Sequence, residues 1–281
     1  MFVLVRVLLC LVTYCVACVC TTGRGRAVEP EDMRFTAGFD GSDQYYVLVR
    51  PEGLNLAQPV DVLVALHGHG SDRWQFVKQA RDECRAARDI AAKYGMLFVS
   101  PDYRAATSWM GPAAEADVRQ IIQDVHRQFR IRHVVLCGGS MGGTGALTFA
   151  ALHPDLVDGV VSMNGTANLV EYKQFQAALA ASFGGTQLEK PDEYRKRSAE
   201  FHSARLTMPV AMTTGGRDEL VPPDSVLRLA DVLAKQQRPV KLIHRPDGGH
   251  VTNYADATSA FEFVMSRLAD VAEANPPSSK P

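Results

Sequence analysis

Val134-Val135-Leu136-Cys137-Gly138-Gly139-Ser140-Met141-Gly142-Gly143-Thr144-Gly145 is the stretch on which the fold turns. Its four leading apolar residues, closed by glycine, read as a short buried strand. From about Met141 to Leu152 the chain reads as a helix that stops before Pro154. Between them Gly138-Gly139-Ser140-Met141-Gly142 matches G-x-S-x-G, a sharp strand-to-helix turn carrying a nucleophilic serine. Glycines there avoid clashes that a Cβ would make. The serine hydroxyl stands at a helix N-terminus, whose dipole favours developing negative charge. The three fixed positions arise by chance in roughly one chain in ten of this length, so the flanking strand and helix carry the weight. The bland alternative is a glycine-rich turn with a capping serine.

Working outward, strand and helix patterns alternate. Tyr45–Val49 and Val60–Leu66 read as strands, the second ending at His67-Gly68-His69-Gly70. Val77, Ala80, Cys84, Ala87, Ala91 and Tyr94 mark one helical face, followed by a strand at Met96–Val99. Val118, Ile121, Ile122, Val125 and Phe129 mark the next helix. Val160–Met163, Val210–Thr214 and Val240–Ile243 read as further strands, with helices around Val226–Leu233 and Ala257–Val271. This rhythm predicts an α/β fold with a mostly parallel, doubly wound sheet covered on both faces. The expected domain runs over 34–272, with a small insertion at about 164–207 over the active site and a flexible tail at 275–281. In such sheets ligands bind beyond the carboxyl ends of the strands, so functional residues are expected where strands terminate.

The chain has 281 residues, 46% hydrophobic and 22% charged, with a formal net charge of −1 and no block of one sign. That composition suits a globular enzyme and gives no basis for nucleic-acid or electrostatic membrane binding. Residues 1–20 differ: Arg6 is their only charge, and Val7–Cys20 is apolar. They read as a signal peptide cleaved between Ala17 and Ala27, which predicts a secreted or periplasmic protein. An uncleaved anchor and a lipid on Cys18 (Cys15-Val16-Ala17-Cys18 resembles a lipobox, with Cys15 where Leu is usual) are the alternatives, and the only expected contact with membrane. Four of six cysteines lie in this leader. Cys84 and Cys137 are expected as buried free thiols.

The remaining strand ends supply chemistry. Ser140 is the candidate nucleophile. Asp218, a few residues past Val210–Thr214 in Gly215-Gly216-Arg217-Asp218, is the candidate orienting acid, with Glu219 and Asp102 as competitors. His250 closes Pro246-Asp247-Gly248-Gly249-His250 after the last strand and is the candidate general base, with His244 the weaker choice. The N–H groups of Met141 and His69 are the candidate oxyanion donors, and His67 is expected to brace its loop. Trp109 is nominated as substrate-binding, and Trp74 is considered beside it. His67-x-His69 followed by Asp72 raises the possibility of a zinc site, but Ser71 and Asp72 are out of register for one, so no metal is expected.

Taken together, His67-Gly68-His69-Gly70, the turn around Ser140, Gly215-Gly216-Arg217-Asp218 and Gly249-His250 resemble the α/β-hydrolase superfamily over about Tyr45 to Val271. Its single-domain layout resembles secreted polyhydroxybutyrate-depolymerase-like, feruloyl and acetylxylan esterases. The prolyl oligopeptidase catalytic domain is a close relative, from which this chain departs in having no room for a β-propeller. It departs from lipases in lacking a long apolar lid. The resemblance implies a serine hydrolase that needs no cofactor and cleaves a small-molecule or polysaccharide ester through an acyl-enzyme. Serine peptidase action on small peptides is the alternative, for which Glu115 and Asp117 are the nearby acids that could capture an amino terminus. A non-catalytic binding protein on the same fold is the third reading.

Overall fold

The computed structural model describes residues 29–274. The expected leader with its four cysteines and the tail 275–281 lie outside the described residues. Eight strands form one sheet: β1 Glu31–Thr36, β2 Asp43–Val49, β3 Val60–Leu66, β4 Leu97–Pro101, β5 Ile131–Gly139, β6 Gly159–Met163, β7 Val210–Gly215 and β8 Val240–Arg245. Their spatial order is β1-β2-β4-β3-β5-β6-β7-β8. β1 and β2 pair antiparallel with each other, as do β2 and β4; every other neighbouring pair is parallel.

Both faces of the sheet are covered. Helices α1 Gln75–Lys78, α2 Asp82–Lys93 and α8 Tyr254–Ala274 pack on one face, against Leu63 and Ala65 of β3, Val135 and Cys137 of β5 and Val161 of β6. Helices α3 Pro112–Gln128, α4 Met141–Leu152 and α7 Asp224–Lys235 pack on the other, against Val62 and Val64 of β3 and Leu136 of β5. The two sets alternate along each strand because successive side chains point to opposite faces. Cys84 and Cys137 are buried and unpaired, and burial raises both thiols, Cys84 to about 12.

Three elements differ from the sequence expectation. β1 begins at Glu31, ahead of the expected boundary at 34; it is an edge strand whose inward set is only Met33 and Phe35, too short a pattern to read. The helical face expected from Val77 to Tyr94 is cut into α1 and α2 by an extended Gln79-Ala80-Arg81, with ψ of 143° at Gln79 and 144° at Arg81. All three residues are compatible with a helix, so the break comes from tertiary context rather than propensity. α3 begins at Pro112, four residues after Ser108, with Pro in its first turn where a missing N–H costs nothing.

The insertion carries α5 Gln176–Phe183, α6 Pro191–Lys196 and a 3₁₀ helix, Ala199–Arg205. One buried cation fastens it to the rest. Arg197 is fully buried; Nη1 donates to Met110 O at 2.5 Å, Nη2 pairs with Glu115 at 2.8 Å, and Nε donates to Glu193 at 2.6 Å. Burial would raise the Glu115 carboxyl, but the hydrogen bond from His153 and the Arg197 charge hold it at about 2. Asp117, by contrast, is pushed up to about 6 by burial despite Arg104 at 2.8 Å. Both acids are engaged by arginines of the fold, and neither lines the opening above Ser140. Removing one partner of a buried, hydrogen-bonded charge pair leaves the other uncompensated. Arg197→Ala is therefore expected to destabilise the fold by about 3 kcal/mol, seen as a lower urea midpoint. Leu188→Ala, at a 94% exposed position, should leave the midpoint unchanged.

Candidate active site

The turn between β5 and α4 is tight enough to constrain its residues one by one. Ser140 has φ 57° and ψ −119°, in the left-handed half of backbone space that a non-glycine residue enters at a cost. Its N–H donates to Met163 O at 2.8 Å and its C=O accepts from Thr144 N–H at 3.0 Å, which hold it there. A Cβ on Gly142 would lie 2.0 Å from Leu66 O of the neighbouring strand, and one on Gly138 would lie 2.3 Å from the Gly142 carbonyl carbon. The two outer glycines of the motif are thus required by contact, whereas Gly139 has ordinary space.

Asp218 and His250 arrive on two other strand-end loops that are pressed together. A Cβ on Gly215 would lie 2.3 Å from Gly249 O, and one on Gly216 2.4 Å from Pro246 O. Gly216 N–H donates to Arg245 O and Arg217 N–H to Gly248 O, each at 2.8 Å. The side chain of Asp218 is fully buried. Its Oδ1 accepts from the N–H groups of Leu220 at 3.0 Å and Val221 at 2.9 Å, leaving Oδ2 for His250 Nδ1 at 2.7 Å. Because a carboxylate only accepts, Nδ1 carries the imidazole proton. Nε2 then faces the Ser140 hydroxyl at 2.9 Å with a free lone pair. Three side chains 32 and 110 residues apart thus form one hydrogen-bonded line.

The competitors are occupied elsewhere. Asp102 accepts from Arg73 Nη1 at 2.7 Å and Arg73 N–H at 2.8 Å. Glu219 is exposed, and His244 lies within β8. His67 is buried, with Nδ1 2.8 Å from Gly68 O and Nε2 3.1 Å from Asp102 O, and so braces its loop. Among the described residues no group of three His, Cys, Asp or Glu side chains is arranged to hold a metal ion.

Of the candidate oxyanion donors, Met141 follows Ser140 in the chain and His69 lines the same opening. Met141 N–H is the first of α4, where a helix has no internal acceptor to offer. In the β3 loop, Gly68 N–H donates to Gln75 Oε1 at 2.8 Å and Gly70 N–H to Ala106 O at 2.7 Å, while the N–H of His69 between them bonds to no backbone acceptor. The His69 ring is fixed too. Trp109 Nε1–H donates to His69 Nδ1 at 3.0 Å, and the Phe175 ring lies 4.2 Å away, centroid to centroid. Indole N–H only donates, so Nδ1 is unprotonated, and burial likewise lowers the His69 pKa.

Trp109 itself is not on the pocket wall. Its side chain is fully buried beneath His69, Tyr172 and Phe175. The substrate-binding expectation for it is corrected accordingly: it supports the wall from behind. Trp74 lies under Lys78 Nζ, 3.7 Å from the ring centroid, and does not line the cleft either. What does line it, in an opening of about 340 Å³ above Ser140 and His250, is a polar side with Gln79 and Arg81 and an apolar side with Phe175 and Leu220.

Sequence reading missed the support for the histidine loop. Thr252 Oγ1 donates to Asn164 Oδ1 and accepts from Thr213 Oγ1 at 2.6 Å, and Asn164 Nδ2 reaches Gly249 O at 3.5 Å. Asn164 sits at φ 51° just past β6. Its position at a strand end was the available signal; it was read only as the start of the insertion.

Residues 110–267, more than half of the chain, match the model of the prolyl oligopeptidase family. No curated protein matches the chain. Among solved structures, it is similar to fluorophosphonate-binding serine hydrolase F of Staphylococcus aureus, with a TM-score of 0.65 and 16% identity over 86% of this chain and 99% of that one. It is also similar to a puromycin-hydrolysing peptidase of Mycobacterium tuberculosis, with a TM-score of 0.67 and 19% identity over 88% of this chain. Against the acylaminoacyl peptidase of Pyrococcus horikoshii the TM-score is 0.64 at 17% identity over 88% of this chain. The chain spans 39% and 41% of those two peptidases. At such identities the structural likeness speaks to the fold, an α/β-hydrolase sheet. The family match adds descent, and the chain belongs to the prolyl oligopeptidase family as a serine hydrolase of the α/β-hydrolase fold.

Proposed function

We propose that this serine hydrolase cleaves carboxylic esters through an acyl-enzyme on Ser140, with His250 as general base and Asp218 holding it. One observation carries the reading: His250 bridges Ser140 Oγ at 2.9 Å and Asp218 at 2.7 Å beneath an open cleft. Ser140 Oγ attacks the ester carbonyl carbon as its proton passes to His250 Nε2. The C=O electrons move onto oxygen, which the N–H groups of Met141 and His69 receive, each worth about 3 kcal/mol in such sites. Collapse expels the alcohol, protonated by His250. A water, deprotonated at Nε2, then attacks the acyl carbon and releases the acid.

Trp109 supports the oxyanion loop in this reading. Its Nε1–H keeps His69 Nδ1 deprotonated, and its main-chain N–H points at the Met141 sulfur at 3.3 Å, so one residue touches both donor-bearing segments. Ester rather than amine-terminated peptide is favoured because no Asp or Glu lines the open cleft among the described residues. Peptide hydrolysis is the second reading, favoured by the family match over 110–267. Export is part of the proposal, on the strength of the apolar run Val7–Cys20. It suits an extracellular ester such as acylated or feruloylated polysaccharide or a polyester.

Hydrolysis of short nitrophenyl esters is expected to fall at least about 10⁴-fold in kcat in Ser140→Ala, with loss of fluorophosphonate labelling. Equal rates in both proteins would end the nucleophile assignment. Asp218→Asn should lose about 10³- to 10⁴-fold, since the amide favours the wrong tautomer of His250. An acetyl ester should be cleaved faster than an aminoacyl-nitroanilide; the reverse order establishes the peptidase. In Trp109→Phe the ring stays but the donor goes, so His69 should titrate at higher pH by NMR than in the wild type, and an unchanged midpoint would contradict the assigned tautomer.

A further inference from the structure

The cleft is electrically one-sided. Arg81 stands on the extended Gln79-Ala80-Arg81 segment that separates α1 from α2, and its side chain lines the same opening as Ser140 and His250. It also borders a small pocket behind the Ser140–His250 pair, together with Glu83. Glu83 is nearly buried, its side chain 8% exposed, and its Oε1 lies 2.7 Å from Arg81 Nε, whereas the Arg81 side chain is 53% exposed. The acid therefore grips the inner edge of the guanidinium. The ion pair to Glu83 is made through Nε, on the inner edge of a side chain that is otherwise half exposed.

Nothing else in the opening bears a fixed charge. The remaining lining residues include no Asp, Glu or Lys. His69 is kept neutral by burial and by the indole donor, and His250 gives its one proton to Asp218. Glu83 faces the smaller pocket and not the open cleft. Phe175 and Leu220 add apolar surface to the same opening. A guanidinium binds a planar carboxylate through two parallel N–H···O bonds. An uncharged ligand would leave that fork to water.

We propose that Arg81 is a specificity-determining residue that binds a carboxylate carried by the substrate, so that the preferred esters are acidic ones with an apolar remainder. The inference rests on the reading of Ser140 as the esterolytic nucleophile. The carboxylate can come from either side of the scissile bond: from the acyl part, as in a half-ester of a dicarboxylic acid, or from the alcohol part. Either source presents the same anion to the same fork.

The test compares 4-nitrophenyl hemiglutarate (acyl-side carboxylate) and a carboxy-substituted nitrophenyl butyrate (alcohol-side carboxylate) with neutral 4-nitrophenyl butyrate. Wild-type protein is expected to prefer one acidic ester over the neutral one in kcat/KM. Arg81→Gln should reduce that preference about 10-fold or more, mainly through KM, and Arg81→Lys, which keeps charge but not the fork, should restore part of it. The arm that responds identifies the side on which the carboxylate sits. A ratio unchanged by Arg81→Gln, or an equal fall on acidic and neutral esters, overturns the inference. Failure of the wild type to cleave any of the three esters would instead overturn the esterase reading on which it stands.

Discussion

Close backbone contact between the turn after β7 and the turn after β8 is the constraint on which the site depends. Gly215 and Gly216 lie against Pro246, Gly248 and Gly249 with no space for a side chain, and two main-chain hydrogen bonds cross the seam. That contact brings a buried carboxylate and an imidazole, delivered by separate strands, to 2.7 Å from each other. The oxygens of Asp218 are satisfied in their buried position by two N–H groups and the imidazole. The third partner comes from the centre of the sheet, where Ser140 is held in a strained turn by hydrogen bonds on both sides.

The insertion contributes more than cover. Trp109 and Met110 both have positive φ, 43° and 56°, in a fully buried turn. Such geometry costs about 1–3 kcal/mol per residue and persists only where surroundings impose it. Arg197 from the insertion grips Met110 O, and Ser182 from α5 grips Ser108 O. The turn so held places Trp109 under His69 and beside Met141. A buried ion pair is thereby linked, through one strained turn, to the two segments that carry the candidate oxyanion donors.

Much of this was legible in the sequence because the parallel sheet writes its functional residues at strand ends. β3, β5, β7 and β8 are mostly apolar strands, and the loop after each delivers a residue of the site. What stayed hidden depends on contacts no local pattern encodes. Gln79-Ala80-Arg81 has helical propensity and is extended all the same. Trp109 sits in a loop near a strand end, the usual place for a pocket residue, yet it is the largest fully buried side chain among the described residues. Asn164 and Thr252 act on His250 through a hydrogen-bond chain spanning 88 residues, which spacing alone does not reveal.

Parallel pairing of β3 with β5 puts Leu66 opposite Gly138. His69 lies three residues beyond the first, and Met141 three beyond the second. The sheet therefore works as a ruler: the spacing of the two candidate oxyanion donors is inherited from strand register, deep in the core, as well as from the loops that carry them. A shift of one residue between these strands would turn the side chains of one of them to the opposite faces and part the pair by about 3.3 Å, enough to lose a shared oxygen. Hydrophobic side chains far below the cleft, by fixing that register, thus carry part of the selection for chemistry.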